Sequence, residues 1–92
     1  MTAATDTSLP GRRILVVDDE RGIRAALGQL LEYEGYEVRT AEHARQGLDV
    51  YKEFRPHLVF LDVKMPGMDG LEALRHLREQ DPRATVVMIS GH

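Results

Sequence analysis

The 92 residues contain no cysteine, which excludes disulfides and thiolate metal sites. No apolar run approaches the ~20 residues needed to cross a bilayer, and residues 1–8 lack the apolar core of a signal peptide. Positive charge is not in excess. Twelve Lys and Arg stand against fifteen Asp and Glu, a net charge of -3, so no basic face advertises nucleic-acid binding. There is no internal repeat and no low-complexity tract. The first apolar run is followed by Asp-Asp-Glu rather than Gly-x-Gly, so a nucleotide phosphate would meet repulsion there. These absences, with an ordinary 42% of hydrophobic residues, leave one small domain, expected to be cytoplasmic and free of membrane contact.

What is present alternates. Residues 1–11 are small and polar and end in Leu9-Pro10-Gly11, which reads as a disordered lead. Strands are expected over residues 13–17, 36–40, 58–61 and 85–89, and helices over 20–34, 43–54 and 70–79. In the first helix Ile23, Leu27, Leu30 and Leu31 share one face, and Gly35 stops it. Ala44, Leu48, Tyr51 and Phe54 form the stripe of the second, which Pro56 ends. Leu71, Leu74 and Leu77 are expected inward on the third, whose start is marked by Asp69 with Glu72 three residues on. Strands separated by helical segments of this length imply a parallel sheet with right-handed crossovers.

Two strands end in acid. Leu58-Val59-Phe60-Leu61 runs into Asp62, and Arg13-Ile14-Leu15-Val16-Val17 runs into Asp18-Asp19-Glu20. Either ending, taken alone, also reads as a helix cap or a solvated helix N-terminus. Taken together, two central parallel strands bring Asp18, Asp19 and Asp62 to one edge, where open α/β sheets bind ligands. Three carboxylates in one cleft repel unless a cation neutralises them, and an all-oxygen set suits Mg²⁺ or a similar hard ion.

Val16-Val17-Asp18-Asp19-Glu20, the stretch from Leu61 to Gly70 and Val87-Met88-Ile89-Ser90-Gly91-His92 resemble the receiver domain of two-component response regulators. Residues 34–41 and the Ser-Gly-His ending look most like receivers attached to sigma-54-dependent transcription activators. The resemblance covers residues 12–92 and implies a flavodoxin-like (CheY-like) parallel sheet of order 2-1-3-4. It also implies that the family's fourth helix, fifth strand and fifth helix, with the strand-five Lys, are absent, making 12–92 a partial receiver. By the same resemblance Asp62 matches the phosphoacceptor for a sensor histidine kinase or phosphotransfer protein. Asp19 and Asp62 match direct Mg²⁺ ligands, Asp18 one acting through water, Lys64 a backbone-carbonyl ligand, and Ser90 the switch hydroxyl.

Such a module would modify itself and turn over no external metabolite, so it is not expected to be an enzyme in the metabolic sense. It would regulate transcription through an output domain. The alternative is a degenerate or truncated receiver acting as a non-phosphorylated interaction module. Strand four, apolar and without Lys or Pro, would offer an edge for self-association. An Asp-nucleophile phosphatase would want an acid two residues after the nucleophile, where Lys64 stands. His43, His57 and His76 are expected at the surface or its boundary.

Overall fold

The computed structural model describes residues 11–89. The lead expected over residues 1–11 falls, apart from Gly11, outside the described residues, as does Ser90. The elements are β1 (Arg13–Val17), α1 (Arg21–Tyr33), β2 (Glu37–Ala41), α2 (Ala44–Phe54), β3 (Leu58–Asp62), α3 (Gly70–Gln80) and β4 (Val86–Ile89). The four strands form one parallel sheet in the order β2-β1-β3-β4, as the resemblance implied. The register sets Val17 beside Leu61 and Asp62 beside Ile89, so β1 and β3 deliver their carboxyl ends to the same edge.

Strand alternation divides the apolar residues between two faces. Leu15, Val17, Val59 and Leu61 point to the side carrying α2 and α3, where they pack with Ala44, Leu48, Tyr51, Ala73 and Leu77. The α2 stripe is as expected: all four of its residues are buried. Ile14 and Val16 are buried on the opposite face, where α1 lies against β1 and β2. Two expectations fail here. Leu71 is 59% exposed, and Ala73 takes the inward position beside Leu77. On α1 the apolar face exists, yet Leu30 is 56% exposed and Gly28 is the helix's one buried residue. Among the described residues α1 has no helical neighbour on its side of the sheet, so only the part of its stripe over β1 and β2 is covered. β4 is an edge strand among the described residues, with Val87 partly exposed.

Helix ends are well specified. Gly35, at φ 100°, closes α1, and its N–H donates to Glu32 O at 3.0 Å. α2 ends on Arg55 in the left-handed region, at φ 52°, immediately before Pro56. The Arg13 guanidinium binds the carbonyls freed there, from Nε to Phe54 O at 2.9 Å and from Nη2 to Arg55 O at 2.8 Å. The histidines have local partners. His43 is the N-cap of α2, its Nδ1 accepting from Gln46 N, and His57 Nδ1 accepts from Arg13 N. Burial, then the charges of Arg13 and Arg12, hold His57 below the usual imidazole pKa, which keeps that nitrogen free to accept.

Tyr51 ties α2 to the end of α3, its hydroxyl donating to Asp81 Oδ2 at 2.8 Å. Burial first, and then this bond, push the phenol up to about 12. Tyr51→Phe is expected to lower the thermal midpoint by roughly 4 °C, the loss of one hydrogen bond in a domain of this size. A scan showing no change at neutral pH would mean that water replaces the bond without cost.

Candidate metal and phosphoacceptor site

The acids reach one place because their strands do. Asp62 is the last residue of β3, and Asp18 directly follows β1. Asp18, Asp19 and Asp62 each offer an oxygen, and these atoms all lie within 4.8 Å of one another. Asp18 and Asp62 are completely buried, whereas Asp19 is exposed. The distinction was not legible in Asp-Asp-Glu as a string. It arises because Asp18 continues the β1 hydrogen bonding, with its N–H on Ala41 O at 3.1 Å, before the chain turns into α1.

Each buried carboxylate has one oxygen held and one not. Asp18 Oδ1 accepts from Glu20 N at 2.8 Å, and Asp62 Oδ1 accepts from Lys64 N at 3.2 Å. Oδ2 of both is buried without a hydrogen-bond partner. Two orphaned buried carboxylate oxygens side by side are unfavourable unless something positive sits between them. The Asp62 carboxyl is pushed above the usual carboxylate range, chiefly by burial, with the charges of Asp18 and Asp19 adding to it and the Lys64 N–H opposing. An all-oxygen donor set of this charge fits a hard divalent cation.

The remaining wall is the loop after β3. Asp19, Val63, Lys64, Met65, Pro66, Asp69 and Leu71 line an open cleft of about 540 Å³ beside the acids. Lys64 is exposed on it and Met65 is buried beneath. The loop is closed by Asp69, which caps α3 by accepting from Glu72 N at 2.9 Å, and by Gly70 N, which donates to Val63 O at 2.9 Å. Two contributors were missed in the sequence. Gly70 seats α3 directly on the Asp62-Val63 backbone. Arg24, one turn into α1, donates from Nη1 to Asp18 O at 2.7 Å. The signal for the first was a small residue at a helix start beside a strand end. The second left no signal beyond its spacing from Asp18.

Among the described residues no helix is long and apolar enough to cross a membrane. The family model for the response regulator receiver domain matches residues 14–92. Sporulation initiation phosphotransferase F of Bacillus subtilis is 40% identical over 80 residues, covering 87% of this chain and 64% of the relative. The nitrogen assimilation regulatory protein NtrX of Azorhizobium caulinodans is 46% identical over 81 residues, covering 86% of this chain and 18% of the relative. The chain thus spans less than two thirds of the length of these curated relatives. The solved response regulator TrrA of Thermotoga maritima, in complex with Mg²⁺ and BeF, superposes with a TM-score of 0.83 at 40% identity, covering 88% of this chain and 70% of that one. Sheet order, acidic edge and these matches agree: the chain belongs to the response regulator receiver domain family of two-component signalling.

Proposed function

We propose that this chain is the phosphoacceptor module of a two-component relay, taking a phosphoryl group on Asp62 from a phosphohistidine of a sensor kinase or phosphotransfer protein. The observation that carries this reading is Asp62 itself. It is buried at the end of a central strand, with Oδ1 held by Lys64 N and Oδ2 without a partner, beside two further acids. In the transfer a carboxylate oxygen of Asp62 attacks phosphorus and the P–N bond breaks. The donor imidazole leaves with the electron pair and becomes protonated, and an acyl phosphate remains on Asp62.

Asp19, Asp62 and the Lys64 carbonyl would hold Mg²⁺ directly, and Asp18 through water. Bound there, Mg²⁺ offsets the charge on the phosphoryl oxygens. The donor approaches by the open side, where exposed Asp19 and Lys64 line the cleft. Ser90 takes the switch role by its match alone. The chain acts on itself and on no external metabolite, in the cytoplasm. Its likeness to the C4-dicarboxylate transport transcriptional regulatory protein DctD of Pseudomonas aeruginosa, 41% identical over 80 residues, supports transcription as the output, through a separate domain.

Intact mass after incubation with Mg²⁺ and acetyl phosphate tests this. Wild type is expected to gain one phosphoryl group, and neither Asp62→Asn nor a chelated sample should gain any. No gain in folded wild-type protein rejects the reading and leaves the interaction module. An equal gain in Asp62→Asn moves the acceptor elsewhere.

A further inference from the structure

We propose that Arg24 is a positioning residue for the cation site, holding from α1 the turn that carries Asp18 and Asp19. The proposal rests on reading the acidic cluster as a cation site.

Asp18 has four polar atoms on its backbone and side chain, and three are tied down. Its N–H donates to Ala41 O, its Oδ1 accepts from Glu20 N, and its carbonyl oxygen accepts from Arg24 Nη1 at 2.7 Å. Only Oδ2 is left, and it is buried without a partner among the acids. The first two anchors are backbone groups, one from β2 and one from the turn itself. The third is a side chain reaching from another element, and it fixes the part the others leave free.

The carbonyl of Asp18 belongs to the Asp18–Asp19 peptide. Because a peptide is planar, orienting that oxygen orients the whole unit and therefore the direction in which Asp19 leaves the chain. Asp19 is exposed, so packing does not hold it. Arg24 suits the task because its guanidinium is rigid and permanently charged. It is half-buried, and its charged donor sits on the backbone of the turn that carries two of the three carboxylates. Its backbone is fixed in turn, since Arg24 N donates to Glu20 O at 3.1 Å within the first turn of α1. Helix, turn and acids thus form one unit.

The test is calorimetric titration of the chain with MgCl₂ at neutral pH. Arg24→Ala is expected to raise the Mg²⁺ Kd about tenfold, the usual scale for a group that orients a metal ligand. Arg24→Lys, which keeps a charged donor, is expected to recover to within about threefold of wild type, and Arg24→Gln, a donor without charge, to fall between. Tyr51→Phe, at the opposite end of the sheet, supplies a stability control expected to bind Mg²⁺ as wild type does. The glutamine and lysine variants keep the test standing if the alanine variant fails to fold. Wild-type Kd values in folded Arg24 variants overturn the proposal and leave the cation site intact. Equal weakening in Tyr51→Phe overturns it as well, by assigning the loss to stability. No Mg²⁺ binding by wild type overturns both the proposal and the site.

Discussion

Asp62→Asn is expected to make the metal-free chain more stable at neutral pH, by about 1 kcal/mol, while removing most of the stabilisation that Mg²⁺ confers. Asp62 is fully buried and its pKa is raised by burial and by its acidic neighbours. A carboxyl whose folded pKa lies above its unfolded value contributes stability that is complete below the unfolded value, near 3.8, and is lost as pH rises through the folded value. At neutral pH the wild-type, metal-free site therefore works against folding. Asparagine has the same shape, carries no charge, and brings an amide that can donate to the acids beside it. A cation reverses the order, because it binds the folded state alone. At a hundredfold excess over Kd it adds about 2.7 kcal/mol to wild type and much less to the variant. Urea denaturation with and without millimolar MgCl₂, against NaCl of equal ionic strength, should show the two stabilities cross. Acidification that protonates Asp62 should erase the Mg²⁺ increment. An Asp62→Asn variant less stable than wild type without metal would mean that the carboxylates are not in conflict, and the cation site would lose its main physical support.

The legible part of this molecule was the part written in large apolar residues and in strand endings. Runs such as Leu58 to Leu61 could be placed as strands to within a residue, and the two acid-terminated strands did prove to be neighbours. The α2 stripe was read correctly because Leu48, Tyr51 and Phe54 are bulky and all buried. The errors share a cause. Periodicity of large residues finds the face with most hydrophobic area, whereas the closest approach of a helix to the sheet is made by its smallest residues. Ala44 and Gly47 on α2, and Gly70 and Ala73 on α3, are each a buried small pair three residues apart at the helix start. A Cβ on Gly47 would come within 2.8 Å of Val17 Cγ2. Of these four residues the sequence placed only Ala44 on a buried stripe; leucine counting passed over the other three and turned Leu71 inward, where the structure has it exposed on the rim of the cleft. At the site, the three acids were legible but the difference between buried Asp18 and exposed Asp19 was not. That depends on where strand pairing stops. Contacts reaching between elements, such as Arg24 to Asp18 or Tyr51 to Asp81, have no local signature at all.

The small pair on α3 carries the second large effect, because Gly70→Ala is expected to cost about 3 kcal/mol and to disable the site. The reason is space, not backbone conformation. A Cβ at Gly70 would overlap the carbonyl oxygen of Asp62 and would lie 2.8 Å from Val63 Cα and 2.9 Å from Asp62 C. All three atoms are backbone, so no side chain can rotate away. Either α3 backs off, breaking the bond from Gly70 N to Val63 O, or the Asp62-Val63 peptide moves and takes the acceptor carboxylate with it. Gly67, three residues earlier in the same loop, is the contrasting case. It has φ 77° and nothing within 4 Å of where a methyl would stand, so Gly67→Ala meets strain alone, about 1 kcal/mol. Urea midpoints and Mg²⁺ affinities of the two variants separate the mechanisms. Gly67→Ala should lose a little stability and bind Mg²⁺ as wild type does, while Gly70→Ala should lose several-fold more stability and at least tenfold in Mg²⁺ affinity. If the two variants instead proved equally stable and equally able to bind Mg²⁺, α3 would not be seated on Asp62. The close packing of helix start on strand end would then have no part in holding the acids together.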